Sequence, residues 1–153
     1  MQEIKFKQAL INCGVFCGWH YWGFLDGKFI GPNTNADYGV EGALKHSYQF
    51  TGLYDKNKVE IYKKDILRLN YSEHYAIDGI VRWFSANTHI TDGEYGMELA
   101  RWVLDQTLLE TGTEAFANVF HMSVESIREV IGNTWENPEL VNATSKNTKD
   151  SSL

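Results

Sequence analysis

The sequence predicts an α+β fold composed mainly of antiparallel β-strands, and three observations support this class. Apolar residues make up 43% and aromatic residues 14% of the 153-residue chain, proportions typical of a packed domain rather than a disordered chain. Short apolar runs alternate with turn-forming residues along most of the sequence, as expected for consecutive strands. One segment, 92–110, instead has the residue spacing of a helix. The length fits a single domain.

The central segment, residues 49–69, sets the predicted strand pattern. Its sequence, QFTGLYDKNKVEIYKKDILRL, contains two polar breaks, at 55–58 and 63–65. Such breaks between β-favouring runs predict three strands joined by two turns. The apolar and β-favouring positions of these strands are Phe50, Leu53, Ile61, Ile66, Leu67 and Leu69.

The sequence predicts further strands on both sides of the central segment. Residues 1–11 contain an alternating strand pattern, and Asp26 with Gly27 separates two apolar runs. Both residues of this pair tolerate the positive φ of a type I′ turn, so they predict a hairpin. Residues 32–42 are predicted as a loop because most of them are polar or turn-forming. Residues 77–84 are predicted as a later strand.

An amphipathic helix is predicted over residues 92–110. Thr91 and Glu94 have the spacing of a capping box, and Gly112 lies where such a helix would end. Apolar residues occupy most of the remaining circumference, so this helix requires cover from the strands or from a second subunit. We therefore expect a homo-oligomer that associates through it. Its charged stripe consists of Glu94, Glu98, Arg101 and Asp105.

A second helical pair is predicted over residues 113–131, where the spacing resembles a helix-turn-helix. Ala117 fits the close helix contact, and Ser123 fits the turn. The alternative is that residues 126–131 form a strand or its approach. A DNA-binding regulator would use this segment, but its would-be recognition helix offers a single arginine against two glutamates, which phosphate groups repel. The predicted DNA-contacting residues are Ser123, Glu125, Ser126 and Arg128.

Two separated motifs carry a resemblance to a known family. QFTGLYDKNKVEIYKKDI at 49–66 and VIGNTWENPEL at 130–140 resemble the signature of the YopX-like proteins of phages and prophages. The resemblance implies a small SH3-like barrel without an established activity. It also implies one domain over residues 1–141 with a helical insertion at about 85–128. Where the family usually has glycine in the two turns, this chain has Lys58 and Lys64.

Charge and hydropathy exclude some classes of function. The formal net charge is −6 and the sequence pI is about 5.3, which argues against broad affinity for nucleic-acid phosphates. No apolar run approaches the roughly 20 residues of a membrane span, so we expect no membrane association and a location in the host bacterial cytoplasm. The polar segment 142–153 is predicted to be a disordered tail.

The sequence contains no pattern that predicts catalysis or metal binding. Cys13 and Cys17 lack the second ligand pair of a zinc site, so reduced thiols are expected. The five histidines show no metal-binding spacing, and no phosphate-binding glycine loop or nucleophile motif occurs. The predicted protein is therefore not an enzyme and needs no cofactor or metal.

The remaining hypothesis is that the protein binds another protein. The resemblance and the acidic composition favour a phage accessory protein that binds a host or phage protein, with a role against a host defence. Exposed aromatic side chains mark interfaces, although a buried core is the alternative for the aromatic group. The lysines of the two turns are either contacts for an acidic partner or a solvated surface. The predicted binding residues are Trp19, Tyr21, Trp22, Lys56, Lys58, Lys63 and Lys64.

Overall fold

The computed structural model describes residues 4–34, 39–86, 99–105, 119–121 and 124–141. These residues form ten strands, one short α-helix and one 3-10 turn. In chain order the elements are β1 (Lys5–Asn12), β2 (Val15–Leu25), β3 (Lys28–Ile30), α1 (Gly39–Lys45), β4 (Ser47–Tyr54), β5 (Glu60–Tyr62), β6 (Asp65–Ser72), β7 (Tyr75–Ala86), β8 (Leu99–Asp105), β9 (Val119–His121), β10 (Arg128–Asn133) and the 3-10 turn Pro138–Leu140.

The strands form two five-stranded sheets in which all neighbouring strands are antiparallel. The first sheet has the order β3-β2-β1-β4-β5, and the second has the order β10-β6-β7-β8-β9. The predicted class, α+β with mainly antiparallel strands, is confirmed. Closure of the sheets into an SH3-like barrel stays a prediction.

The predicted hairpin at Asp26 and Gly27 is confirmed. These residues have φ values of 51° and 79°, and they join β2 to β3 so that Phe24 lies opposite Phe29. Both positive values match the requirement of a type I′ turn. The predicted loop over residues 32–42 is only partly right, because α1 begins at Gly39. Glu41 in its first turn and Lys45 in its last turn complement the helix dipole.

The central segment folds as predicted, and backbone hydrogen bonds from its two turns link the two sheets. β4 and β5 belong to the first sheet and β6 to the second. The backbone N–H of Lys63 donates to Gln49 O of β4, and that of Lys64 donates to Val81 O of β7, both at 2.9 Å. In the other turn the Lys56 N–H donates to Arg128 O of β10 at 2.9 Å. The segment therefore fixes the strands of both sheets.

Two apolar clusters cover the two faces of the second sheet near its centre. Neighbouring residues of a strand point to opposite faces, so Leu67 and Ile66 of β6 belong to different clusters. Both side chains are fully buried. The first cluster contains Ile61, Leu67, Leu69, Val81 and Leu104, and the second contains Ile66, Ile80 and Val141.

The helix predicted over residues 92–110 is wrong where the structure describes it, because Leu99–Asp105 is strand β8. Its residues pair with β7 over seven positions, including Trp102 with Trp83. Val103 and Leu104 are neighbours, and both are fully buried. A strand covered on both faces has apolar residues all round, as a buried helix has, so the spacing does not separate the two. The rest of the predicted helix lies outside the described residues.

The helical pair predicted over 113–131 is also wrong at its described positions. Val119–His121 is strand β9, and Arg128–Asn133 is strand β10. β10 pairs with β6, so that Arg128 lies opposite Leu69. The alternative of a strand near residues 126–131 is therefore confirmed. The available edge of β6 determines the conformation here, because strand preference depends on packing against neighbours more than on local propensity.

Lys58 and Lys64, which replace glycine in the turns, both have left-handed backbone conformations. Their φ values are 64° and 73°. A side chain in this region costs about 1 kcal/mol or more, which glycine does not incur. The Lys58 side chain is 79% exposed and forms an ion pair with Glu125. An ion pair this exposed adds little to the free energy of unfolding.

Replacing Lys58 with glycine should therefore stabilise the protein. We expect Lys58→Gly to raise the free energy of unfolding by about 1 kcal/mol, because it removes the left-handed strain. Urea denaturation measures this change. Lys58→Ala is the matched control, since it loses the same ion pair but keeps the Cβ. A glycine variant no more stable than the alanine variant would contradict the prediction.

Candidate binding surface

One face of the first sheet carries charged and aromatic side chains in contact with one another. Lys5 and Lys7 alternate along β1 and therefore point to the same face. Lys7 lies opposite Tyr21 of β2 and Tyr48 of β4 in the strand register. We call this surface the polar aromatic face, and its residues are Lys5, Lys7, Trp19, Tyr21, Glu60, Tyr62, Asp65 and Glu136.

Lys7 lies at the centre of the face and is almost completely buried. Its ammonium lies 4.5 Å from the centroid of the Trp19 ring and 5.1 Å from that of Tyr62. The same Nζ bonds to Asp65 Oδ1 at 2.5 Å. Lys7 is 7% exposed and Asp65 is 1% exposed. Because a buried charge needs a partner, each of these groups depends on the other.

The surroundings of Asp65 act on its ionisation in opposite directions. Burial is the largest effect and raises the pKa of Asp65 to about 6. The Lys7 ammonium and the Tyr62 backbone N–H, which donates to Asp65 Oδ2 at 2.8 Å, favour the carboxylate and limit this rise in pKa. The ionisation of Asp65 therefore depends on the Lys7 ammonium.

A second ion pair lies beside the first. The Lys5 ammonium bonds to Glu60 Oε2 and lies 4.7 Å from the centroid of the Phe50 ring. The Tyr62 hydroxyl donates to Glu60 Oε1 at 3.0 Å. Burial, and then the charge and hydrogen bond of Glu60, raise the pKa of Tyr62 above its ordinary value. The phenol thus stays neutral and acts as a donor.

The solvent side of the face is formed by Tyr21 and Glu136. Tyr21 is 45% exposed, and its ring packs 5.9 Å from that of Tyr62. Glu136 Oε1 accepts hydrogen bonds from Trp19 Nε1 at 2.6 Å and from Asn133 Nδ2 at 3.1 Å. These two bonds, with that of Trp19 first, hold the pKa of Glu136 below its ordinary value. Glu136 is therefore a fixed surface anion.

Burial and nearby carboxylates raise the pKa of Tyr21. Burial is the first cause that raises the pKa of Tyr21, and the carboxylates of Asp65, Glu60 and Glu136 follow it. Lys5 has a smaller opposite effect. Because both lysines of the face are bound to Glu60 and Asp65, the accessible part of the face offers the Tyr21 ring and the Glu136 carboxylate.

The structure separates the three aromatic residues that were predicted to bind a partner. Trp19 and Tyr21 belong to the polar aromatic face. Trp22 lies on the opposite face of the sheet, stacked on Phe6 with ring centroids 4.3 Å apart. Its Nε1 donates to Ser47 Oγ at 2.8 Å. Trp22 is thus part of the packing, as the alternative to a binding role stated.

The four predicted lysines do not form one surface. Lys56 and Lys58 pair with Glu129 and Glu125, respectively, in the turn between β4 and β5. Lys63 is half-buried, and this burial lowers the pKa of its ammonium. Lys64 is 5% exposed. The structure therefore does not bring the four together as a basic patch.

The predicted DNA-contacting residues are also separated in their roles. Arg128 is 7% exposed, and its Nε donates to Tyr54 O at 2.7 Å. Burial lowers the pKa of Arg128. Glu125 bonds to Lys58, Ser126 is exposed, and Ser123 lies outside the described residues. Arg128 therefore anchors β10 to β4 and does not reach solvent as a phosphate contact would.

Two further searches were confined to the part of the chain that the structure describes. Within it, no three His, Cys, Asp or Glu side chains come together as a metal site would require. No helix in the same residues has the length and apolar character needed to cross a membrane.

Sequence reasoning missed the charged half of the polar aromatic face. The missed residues are Lys5, Lys7, Glu60, Asp65 and Glu136. The alternation of lysines in the first strand placed Lys5 and Lys7 on one face, and this was the available signal. Their carboxylate partners are 55 and 58 residues away in sequence, and only the fold brings them together.

The fold and this face define a two-sheet antiparallel β protein with a surface that combines aromatic rings and ion pairs. The sequence model described as YopX protein matches residues 29–142, about three quarters of the chain. The chain therefore belongs to the YopX family, which confirms the resemblance seen in its two motifs. Family membership suggests a phage-type protein. The comparison with curated proteins gave no match.

Proposed function

We propose that this protein is a non-catalytic phage accessory protein that binds a host or phage protein through the polar aromatic face. A role in countering a host defence is part of the same proposal. The observation that carries it is the exposed ring of Tyr21, which packs on the buried Tyr62 ring of the polar aromatic face. Tyrosine and tryptophan are enriched among residues that dominate binding energy at interfaces.

The face has the construction of a preorganised interface. Trp19 is held by Glu136, and Lys7 is held by Asp65 and two rings, so few side chains remain to be ordered on binding. Less conformational entropy is then lost when a partner binds. Homo-oligomerisation stays part of the proposal, although the helix predicted to mediate it is a strand at residues 99–105.

The test is affinity capture from infected host cells followed by mass spectrometry. We expect stoichiometric recovery of a specific protein by the wild type and at least tenfold lower recovery by Tyr21→Ala, as for the loss of an interface hot spot. Tyr71→Ala is the matched control, because Tyr71 is 47% exposed and packs on one tyrosine ring, as Tyr21 does. Equal recovery by all three proteins would contradict the assignment of this face.

A separate assay tests the DNA-binding alternative, which no described feature favours. A mobility-shift assay across salt concentrations should show no retention of DNA by the wild type, because Arg128 is buried and the chain is acidic. Salt-sensitive, sequence-dependent retention would reverse the proposal.

A further inference from the structure

One edge of β2 has no neighbouring strand among the described residues. β1 pairs with the other edge from Val15 to Gly23. β3 is three residues long and pairs only with Gly23–Leu25. Among the described residues the second edge of β2 is therefore open from Val15 to Trp22, with a bulge at Cys17, where Leu10 pairs with Gly18 and Ile11 with Phe16. This length suits an added strand of similar extent.

The segment after β3 does not close this edge. His20 Nε2 lies 2.9 Å from Gly31 O, and the Gln8 side-chain amide bonds to the N–H and C=O of Asn33 at 2.8 and 2.9 Å. Gln8 and His20 are opposite one another in the β1–β2 register, so they share one face. Residues 31–33 thus cross that face toward β1 and do not lie along the edge of β2.

The composition of this edge is unusual for an exposed strand. Between Val15 and Trp22 the sequence VFCGWHYW contains neither a charged residue nor a proline. Proteins usually block exposed edges with charged side chains, proline or short strands, because an open edge pairs with other chains. Other edge strands follow this rule, since β5 begins with Glu60 and β10 begins with Arg128 and Glu129. Of the features that block an exposed edge, this part of β2 carries only the bulge at Cys17, and Gly18–Trp22 beyond it is regular.

The charges beside the edge define the partner. Glu136 is the exposed carboxylate beside this edge, because Glu60 and Asp65 are ion-paired with the two lysines of the polar aromatic face. Glu136 accepts hydrogen bonds from the neutral donors Trp19 and Asn133. A strand lying along the edge places alternate side chains on the polar aromatic face, where arginine or lysine matches Glu136. The net charge of −6 on the chain also favours a basic partner over a second copy.

We propose that the open edge of β2 accepts an extended, basic segment of the partner protein as an added strand. Backbone hydrogen bonds to Val15–Trp22 provide the affinity, and arginine or lysine side chains near Tyr21 and Glu136 provide the specificity. This inference rests on the proposed function and names the chemistry of the partner.

A synthetic octapeptide of alternating arginine and valine is the direct probe. We expect it to change the tryptophan fluorescence and to slow amide exchange at alternate positions of Val15–Trp22 on each side of the bulge at Cys17. The glutamate–valine peptide should bind at least about tenfold more weakly because its charges are reversed. N-methylation of the arginine–valine peptide on alternate residues should also lower its affinity about tenfold, because the methylated amides cannot donate hydrogen bonds to the edge. Unchanged affinity after N-methylation, or no binding, would overturn the inference.

Substitutions in the protein give the matched comparison. Tyr21→Lys places a positive charge beside the edge and should weaken binding of the arginine–valine peptide about tenfold. Tyr71→Lys, at a similarly exposed tyrosine, should leave the affinity for this peptide unchanged. Light scattering without peptide tests the alternative that a second copy of the chain occupies the edge. A dimer of the wild type that Tyr21→Lys dissociates would overturn the inference in favour of a second copy of the chain.

The two levels of the proposal are separable. Val15 is 63% exposed at the far end of the edge from Tyr21, so Val15→Lys blocks strand addition without changing the polar aromatic face. Capture from host cells that depends on Tyr21 but is unaffected by Val15→Lys would overturn the edge inference and leave the proposed function standing. Loss of the captured protein with both variants supports strand addition.

Discussion

Lys7→Met should destabilise the protein by about 3 to 5 kcal/mol at pH 8, the range found when one partner of a buried ion pair is removed. Methionine keeps most of the volume between the rings of Trp19 and Tyr62, so the loss comes from the charge rather than from a cavity. Asp65 is 1% exposed and would be left as an unpaired anion. Urea denaturation with far-UV circular dichroism measures the change.

The loss should depend on pH, and its direction follows from Asp65. The pKa of Asp65 is raised to about 6 in the folded protein by burial. A raised carboxyl pKa means that the stability it contributes is fully present below the unfolded pKa of about 4 and is lost as pH rises through about 6. Lys7→Met raises this folded-state pKa further. The deficit of the variant should therefore be smaller at pH 5 than at pH 8.

Two controls separate this interpretation from simple loss of packing. Asp65→Asn added to Lys7→Met should recover at least half of the lost stability, because the asparagine oxygen still accepts the Tyr62 N–H while the charge is gone. Arg68→Met removes an ion pair with Asp78 in which the arginine is 44% exposed, and it should cost less than about 1 kcal/mol. Equal deficits of Lys7→Met at pH 5 and pH 8 would contradict the charge-based explanation.

The sequence predicts the local features of the fold and fails where distant pairing decides. Turn chemistry is local, so Asp26 with Gly27 and the two breaks of the central segment predict β2–β6 correctly. Residues 99–105 carry apolar side chains on all sides, and only the presence of β7 beside them selects a strand. The same applies to β10, whose partner β6 lies about 60 residues earlier in the chain.

The sequence likewise predicts the local part of the candidate site and not the contacts between distant residues. An aromatic-rich strand predicts Trp19 and Tyr21 as surface candidates, but alternation alone does not show which of Tyr21 and Trp22 is exposed. The structure places Trp22 against Phe6 and leaves Tyr21 at the surface. Lys7 and Asp65 become part of the site through a contact across 58 positions, which no local pattern contains.

Asp55, which matches the family motif, has a different role from Asp65 although both are buried. Its Oδ1 accepts the backbone N–H groups of Asn57 at 2.7 Å and Val59 at 2.9 Å, and its Oδ2 accepts that of Val130 at 3.0 Å. Burial alone would raise the pKa of Asp55, but these three bonds outweigh it and lower the pKa below its ordinary value. The carboxylate therefore fixes the β4–β5 turn and attaches it to β10.

Asp55→Ala should consequently cost about 4 kcal/mol at neutral pH, because three backbone donors lose their acceptor at once. Asp55→Asn is the matched control. Its single side-chain oxygen still accepts the N–H groups of the turn, whereas its amide nitrogen faces the Val130 N–H, so Asp55→Asn should cost about half as much.

A carboxyl group with a lowered pKa contributes stability above about pH 4 and loses it as pH falls through the folded pKa. The stability deficits of both Asp55 variants should therefore stay constant from pH 8 to pH 5. Denaturant titrations at both pH values measure this, and the deficit of Lys7→Met, which shrinks over the same range, distinguishes a charge held by backbone donors from one held by a buried lysine. Equal stability of the alanine and asparagine variants would show that the bond to the turn does not contribute.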